Sequence, residues 1–289
     1  MLMTSNTVAQ VANLPYRRLA VGAGCQPAVR QTASRRYGFS LVEIMVAVAL
    51  MTIIMLGLLA MFYQTQRAMR VGSAQVDVMG TGDAAIRMMA SELKQVVAAG
   101  SSDFPNLEVT DRYAPLLWAR NFTVSGNPQS THLRELFFLR RENDDWIGTG
   151  YFVDPVTDQG GAGSLYRFEW REPVTRSNAL DVIYNQFKTA RTATVPRLAD
   201  RVAHLQLFAF NADGVPFPYT NKLSFAETNL PSYIDLELGV IEPKPYDRFK
   251  ARYDTNNPGV SAPAALGYLT TQIDRLHIFR ERIPIRTVQ

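Results

Sequence analysis

The sequence predicts an α+β fold, with a long N-terminal transmembrane helix followed by an antiparallel β-sheet head domain. Three observations predict it. Residues 39–63 read FSLVEIMVAVALMTIIMLGLLAMFY, an apolar run with a single charge. Residues 64–99 contain no proline and keep a helical spacing of apolar side chains. From about residue 104 the apolar period becomes two, as in half-buried strands.

The first 38 residues carry five arginines (Arg17, Arg18, Arg30, Arg35, Arg36), no lysine and no acid. The whole chain has a formal net charge of +4 and a sequence pI near 9.2. Without that segment, 25 basic residues face 26 acidic ones. The basic pI therefore reports the N-terminal tail. Nucleic-acid binding needs clustered Lys/Arg on the folded part, and no nucleic-acid partner is expected. The single cysteine, Cys25, lies in the same tail. An intrachain disulfide is excluded, as is a zinc site built from several thiolates.

About 20 apolar residues span a bilayer core as a helix, so residues 39–63 suffice. They are longer than the apolar stretch of an ordinary secretory signal. The arginines before them predict a cytoplasmic N-terminus and a translocated head. A plain anchor accounts for length and flanking charge, but not for Glu43. A carboxylate in an apolar span is costly and needs a partner. Beyond the span, Ile86, Met89, Leu93 and Val96 recur at steps of three and four, predicting a helix packed on its own head domain. Gly80-Thr81-Gly82 predicts a bend, since each glycine costs about 1 kcal/mol in a helix interior. Gly100, Ser101-Ser102-Asp103 and Pro105 predict the stop.

In the head, Tyr166, Phe168 and Trp170 alternate with Arg167, Glu169 and Arg171, and Ile234, Leu236, Leu238 and Val240 alternate with Asp235, Glu237 and Gly239. Both read as strands with one wet face. Further strands are expected at Leu116–Val124, Leu133–Arg140, Gly148–Val153, Asp181–Phe187, Val202–Phe210 and Leu276–Ile283. Asp158–Gly163 and Asn211–Gly214 read as turns. Residues 243–265, with Pro243, Pro245, Pro258, Pro263 and Asn256-Asn257, read as a long Pro-rich loop. The expected organisation is thus a basic leader over 1–38, a helix over 39–99 and a β-rich head over 100–289.

The segment Arg35-Arg36-Tyr37-Gly38-Phe39-Ser40-Leu41-Val42-Glu43 resembles the cleavage and methylation site of type IV prepilins and type II secretion pseudopilins. The resemblance implies the pilin-like form of this fold. It also implies cleavage after Gly38 by a membrane-embedded prepilin peptidase, N-methylation of Phe39, and a role for Glu43, the fifth mature residue, in subunit assembly. A new α-amino group and a buried carboxylate would neutralise each other between neighbouring subunits. At 38 residues the leader is longer than is usual in that family. More loosely, Leu198-Ala199-Asp200-Arg201-Val202, Leu205, Leu207, Asp213-Gly214 and Leu230-Pro231, with the closing Ile283-Pro284-Ile285-Arg286, resemble J-type minor pseudopilins. The implied partners are the peptidase, other pilin or pseudopilin subunits, an inner-membrane assembly platform and membrane lipid. The implied location is the inner membrane, single-pass with a periplasmic head, and then the filament. An adhesion, motility or DNA-uptake pilus, or a filament-tip binding module, is the alternative.

No catalytic residue, metal site or cofactor is expected, and the chain does not read as an enzyme. His132, His204 and His277 are far apart and form no H-E-x-x-H pair. Gln159–Ser164 is glycine-rich, but a strand and not a helix is expected after it, so it reads as a hairpin tip rather than a phosphate loop. Ser164 lacks the context of a hydrolase nucleophile. Asp144, Asp145, Asp154 and Asp158 do not match the spacing of a calcium loop. Tyr246, Phe249 and Tyr253 lie among Lys244, Arg248, Lys250 and Arg252. That mixture could grip DNA or a partner chain, but reads better as a loop folded over the sheet.

Overall fold

A computed structural model describes residues 38–117, 130–190, 195–253 and 262–285. The chain divides into two compact units at Ala60/Met61. The first consists, among the described residues, of Gly38–Ser40 and the helix α1 from its start at Leu41. That helix runs from Leu41 to Leu93. Its apolar first part is long enough to cross a membrane, and with no backbone group left unpaired inside the run, a helix is one of the two ways a chain can do so.

The second unit is built on an eight-stranded sheet with the order β10-β9-β7-β6-β5-β4-β1-β8. Its strands are β1 (Leu107–Asp111), β4 (Arg134–Glu142), β5 (Asp145–Thr157), β6 (Gly160–Pro173), β7 (Arg197–Phe210), β8 (Lys222–Phe225), β9 (Tyr233–Ile241) and β10 (Leu276–Pro284). All neighbouring pairs are antiparallel. Two short strands, β2 (Leu116–Leu117) and β3 (Ser130–Thr131), pair separately. Of the strand expected over Leu116–Val124, residues 118–124 lie outside the described residues. The long β5–β6 hairpin turns on Asp158-Gln159, within the turn expected over Asp158–Gly163, while the glycines from Gly160 onward already belong to β6.

One face of the sheet receives the C-terminal part of α1. Val78, Ala85, Ile86, Met89, Ala90 and Leu93 join Leu136, Phe138, Tyr151, Leu207, Leu236 and Leu238 in one core. The predicted stripe of Ile86, Met89 and Leu93 is the buried one. The helix stops at Leu93 rather than near 99. Beyond it Val96 bridges to Arg140, and the Val97 N–H donates to the Leu139 carbonyl, so the chain trades its helical bonds for sheet bonds. The glycines at 80 and 82 do not break α1. Gly82 is buried against Phe279, whose ring a Cβ there would meet at 2.1 Å. The residue serves close approach to the sheet, not a hinge.

The opposite face is not wet along β4 and β5. Phe137, Leu139, Phe152 and Phe168 pack with Ile183 and Phe187 of a helix, α2 (Ala179–Thr189). The strand expected over Asp181–Phe187 is therefore wrong. Ala179, Ile183 and Phe187 fall at a four-residue step, with Asp181 in the first turn and Lys188 in the last, where the helix dipole favours them. Gly148 and Gly150 of β5 make room: a Cβ at either would meet Ile183 or Phe187 within 2.3 Å.

The Pro-rich loop expected over 243–265 also needs correction. Pro243–Arg252 is a helix, α3, and Ala262–Thr270 is another, α4. Pro243 and Pro245 sit in the first turn of α3 and Pro263 in that of α4, where a missing N–H has no intrahelical acceptor to lose. Phe249 is fully buried with Ala203, Ile241, Ala265 and Leu269, and Tyr246 packs against that cluster. The basic-aromatic mixture thus sorts by face, and Phe249 is not free to stack on a base.

Candidate functional site

The sequence points to Gly38, Phe39 and Glu43, which lie together at the start of α1. Gly38 and Phe39 precede the helix, and Phe39 is 76% exposed. Ser40 caps it: its Oγ accepts the Glu43 N–H at 3.2 Å, and its carbonyl accepts from Glu43 and Ile44 at 3.0 and 3.2 Å. Ser40-Leu41-Val42-Glu43 has the spacing of a capping box, a helix-start signal present in the sequence itself. Glu43 sits in the first helical turn, where the dipole favours a carboxylate.

Glu43 is the only Asp, Glu, Lys or Arg between Arg36 and Arg67. Every residue from Gly38 to Thr65 is exposed in the single chain. Among them Leu41, Met45, Met51, Ile53, Leu56 and Met61 present bare apolar side chains. The two threonines satisfy their own hydroxyls, Thr52 donating to the Val48 carbonyl and Thr65 to that of Met61. The segment is thus apolar on every side, with one carboxylate near its start. A surface of that kind needs lipid, or other helices of the same kind, around it.

The other end of α1 is held to the sheet by charge as well as packing. Glu92, only 8% exposed, accepts from Arg167 Nη2 at 2.6 Å and Nε at 3.0 Å, and from the Tyr151 hydroxyl. Arg167 also pairs with Glu169. Arg140 completes the group, reaching Glu169 at 3.2 Å, Gln95 at 3.1 Å and Thr149 at 2.9 Å. Burial would raise the Glu169 carboxyl, but Arg167 holds it below the usual carboxylate range. Burial, then the Glu92 carboxylate, push the Tyr151 hydroxyl well above its ordinary value. About four turns before Glu92, Asp77 receives Arg201 at 2.5 Å from a bulge in β7, where Arg201 adopts φ +64°. Glu92 reads as a polar position in the sequence. Its three-residue step from Met89 places it in the buried stripe, which is the signal that could have found it.

A second buried acid was also missed. Glu108, 2% exposed, takes Lys188 at 2.7 Å, Lys222 at 2.8 Å and the Tyr184 hydroxyl at 2.9 Å, tying β1 to α2 and β8. Despite its burial, the two ammonium groups hold its carboxyl below the usual range.

Of the three histidines, the fold brings two together. The His132 N–H donates to His204 Nδ1 at 3.1 Å, the rings lie 6.4 Å apart, and His204 Nε2 is 3.3 Å from Glu237. Burial, then Arg134 and His204, push the His132 imidazole down to about 4. His277 lies elsewhere, beside Glu242 at 3.5 Å. Ser164 donates to Asp200 at 2.7 Å. Among the described residues no three His, Cys, Asp or Glu side chains are placed to hold a metal.

Residues 33–59 match the family described as the prokaryotic N-terminal methylation motif, a span that includes Gly38, Phe39 and Glu43. That match supports the prepilin and pilin superfamily, with processing by a prepilin peptidase and assembly with other pilin subunits. Among the described residues one helix is long and apolar enough to cross a membrane, and with this motif it fits a single-pass membrane anchor. No curated protein matches the chain.

Proposed function

We propose that the chain is a minor pseudopilin that initiates or caps an inner-membrane-rooted pseudopilus of a type II secretion system. In this reading the peptidase cuts after Gly38, Phe39 is N-methylated, and the chain remains single-pass with its head in the periplasm until it enters the filament. The α-amino group of Phe39 and the Glu43 carboxylate of a neighbouring subunit then pair, removing the penalty each carries alone in an apolar medium. The apolar segment over 39–63 becomes the filament core, and the sheet domain meets partner minor subunits. The role is structural rather than catalytic.

The observation that carries this reading is the all-round exposure of residues 38–65 around the lone Glu43, inside the methylation motif. The large domain beyond α1 suits a tip better than a densely packed shaft. The lack of any cysteine after Gly38 favours a secretion pseudopilin over a type IV pilin whose C-terminal loop closes through a disulfide. A minor type IV pilin for adhesion, motility or DNA uptake, or a tip binding module, is the alternative.

The test is intact-mass and N-terminal analysis of the protein from its native membrane, with and without active peptidase. A chain that starts at Phe39 and carries one added methyl supports the reading. A chain that keeps its leader, or is cut elsewhere, overturns it.

A further inference from the structure

Within the Met61–Gln289 unit, a pocket of ≈ 220 Å³ lies between α1, the start of α3 and the end of α4. Its walls carry Arg67, Arg70, Lys244, Arg248 and Arg275 against one acid, Glu242. That acid is already engaged, by Arg275 at 3.3 Å and His277 at 3.5 Å. Among the described residues no carboxylate pairs with Arg67, Arg70, Lys244 or Arg248. By contrast, Arg140 and Arg167 come together around Glu92 and Glu169. Four unpaired cations around one cavity repel one another and lack the counter-charge that would offset it.

A second observation concerns Tyr268, which lines the same pocket. Its hydroxyl is buried and has no hydrogen-bond partner among the described residues, although a buried hydroxyl normally finds one. Its ring lies 4.3 Å from the Arg252 guanidinium. The pocket therefore gathers guanidinium groups and an ammonium around one volume, with an unused hydroxyl on one of its lining residues. A phosphate satisfies that set, because guanidinium forks match its oxygens and the hydroxyl can donate to another. The volume equals that of roughly seven waters at about 30 Å³ each, enough for a phosphate with a small ester substituent.

The source of the phosphate follows from where the pocket lies along the chain. Arg67 comes one helical turn, about 6 Å, after Tyr63, the last residue of the apolar run. Arg67, Arg70, Val71 and Ala74 share one face of that turn and the next. If residues 39–63 span the bilayer, as proposed above, these arginines leave it at headgroup level. We propose that the pocket binds the headgroup phosphate of an anionic phospholipid, so that the first extramembrane turn of α1 and the α3–α4 pair share one lipid.

The test uses the full chain in a neutral detergent, titrated with dihexanoyl phosphatidylglycerol, dihexanoyl phosphatidylcholine, inorganic phosphate and a single-stranded oligonucleotide. Saturable binding of the phosphatidylglycerol is expected, with the zwitterionic lipid weaker. The double variant Arg67→Gln/Arg248→Gln should weaken it about tenfold or more, and Tyr268→Phe about fivefold. Tyr268→Phe removes only an oxygen that has no protein partner, so its unfolding midpoint should match the parent. The proposal is overturned if both lipids bind alike or if neither variant changes the affinity. Inorganic phosphate or the oligonucleotide binding as tightly as phosphatidylglycerol would also overturn it, assigning the pocket to a free anion or a nucleic acid. Soluble short-chain lipid keeps the result independent of cleavage at Gly38, so the filament reading and this one fail separately.

Discussion

Glu43 and Glu92 are two carboxylates of α1 in opposite settings. Glu43 has no cationic partner within the described residues, while Glu92 has two arginines and a tyrosine around it. Replacing Glu43 by leucine should not harm membrane insertion, since it removes a charge from an apolar segment. Under the proposed role it should abolish entry into filaments, so the variant would collect in the membrane fraction and disappear from sheared filaments. Normal filament incorporation of Glu43→Leu would remove the assembly role. Glu92→Ala leaves the buried Arg167 and Arg140 to share Glu169 as their one remaining acid, and losing a partner from such a buried group costs up to about 3–5 kcal/mol. Glu92→Gln keeps an acceptor and should cost less. Denaturant unfolding of both variants checks the order. His132 gives the pH dependence. Its folded-state value of about 4 lies below the ordinary 6.5, so the unfolded chain takes up the proton first. The stability His132 contributes is present above pH 6.5 and is lost as pH falls towards 4. Glu108, Glu169 and Glu237, all held below the ordinary carboxylate value of 4.5, add a further loss below that pH. Thermal midpoints measured from pH 7 to 4 should fall less steeply in His132→Asn than in the parent; equal slopes would show that His132 does not drive the loss.

At the scale of elements, α1 is held by a narrow fit. Gly82 lets the helix lie against Phe279 of β10. Gly82→Leu improves local helix propensity yet forces that contact apart, and overpacking costs about 1–3 kcal/mol. A lowered unfolding midpoint is expected; a raised one would mean that propensity outweighs the fit. The same logic explains the helix the alternation rule misses. Leu180, Ile183, Tyr184 and Phe187 fit a helical step, but Asp181–Phe187 is short enough to pass for a strand. The glycines that receive α2, Gly148 and Gly150, lie more than thirty residues away in β5. Prolines mislead in α3 and α4 because their effect depends on position within the turn, and the sequence alone does not locate the first turn.

For the whole molecule, charge separates residues 1–38 from the rest. Loss of residues 1–38 removes five arginines and no acid, changing the formal net charge from +4 to −1. Isoelectric focusing of processed and unprocessed chains should show a shift from the basic side to below neutrality. An unchanged position in the presence of active peptidase would mean that the leader stays.

The apolar span, its lone Glu43, the methylation motif and the antiparallel strands are all legible from the order of residues alone. Each of these rests on a local period or on a short run of residues, where the physics needs no distant partner. Only the tertiary structure decided that Glu92 and Glu108 are buried ion-pair centres, that Gly82 is a contact and not a hinge, and that the second sheet face is covered by α2, α3 and α4. It also brought Arg67, Lys244, Tyr268 and Arg275 around one pocket. These depend on residues from about 35 to about 210 positions apart, and a charge or a glycine has no fixed meaning until its neighbours in space are known.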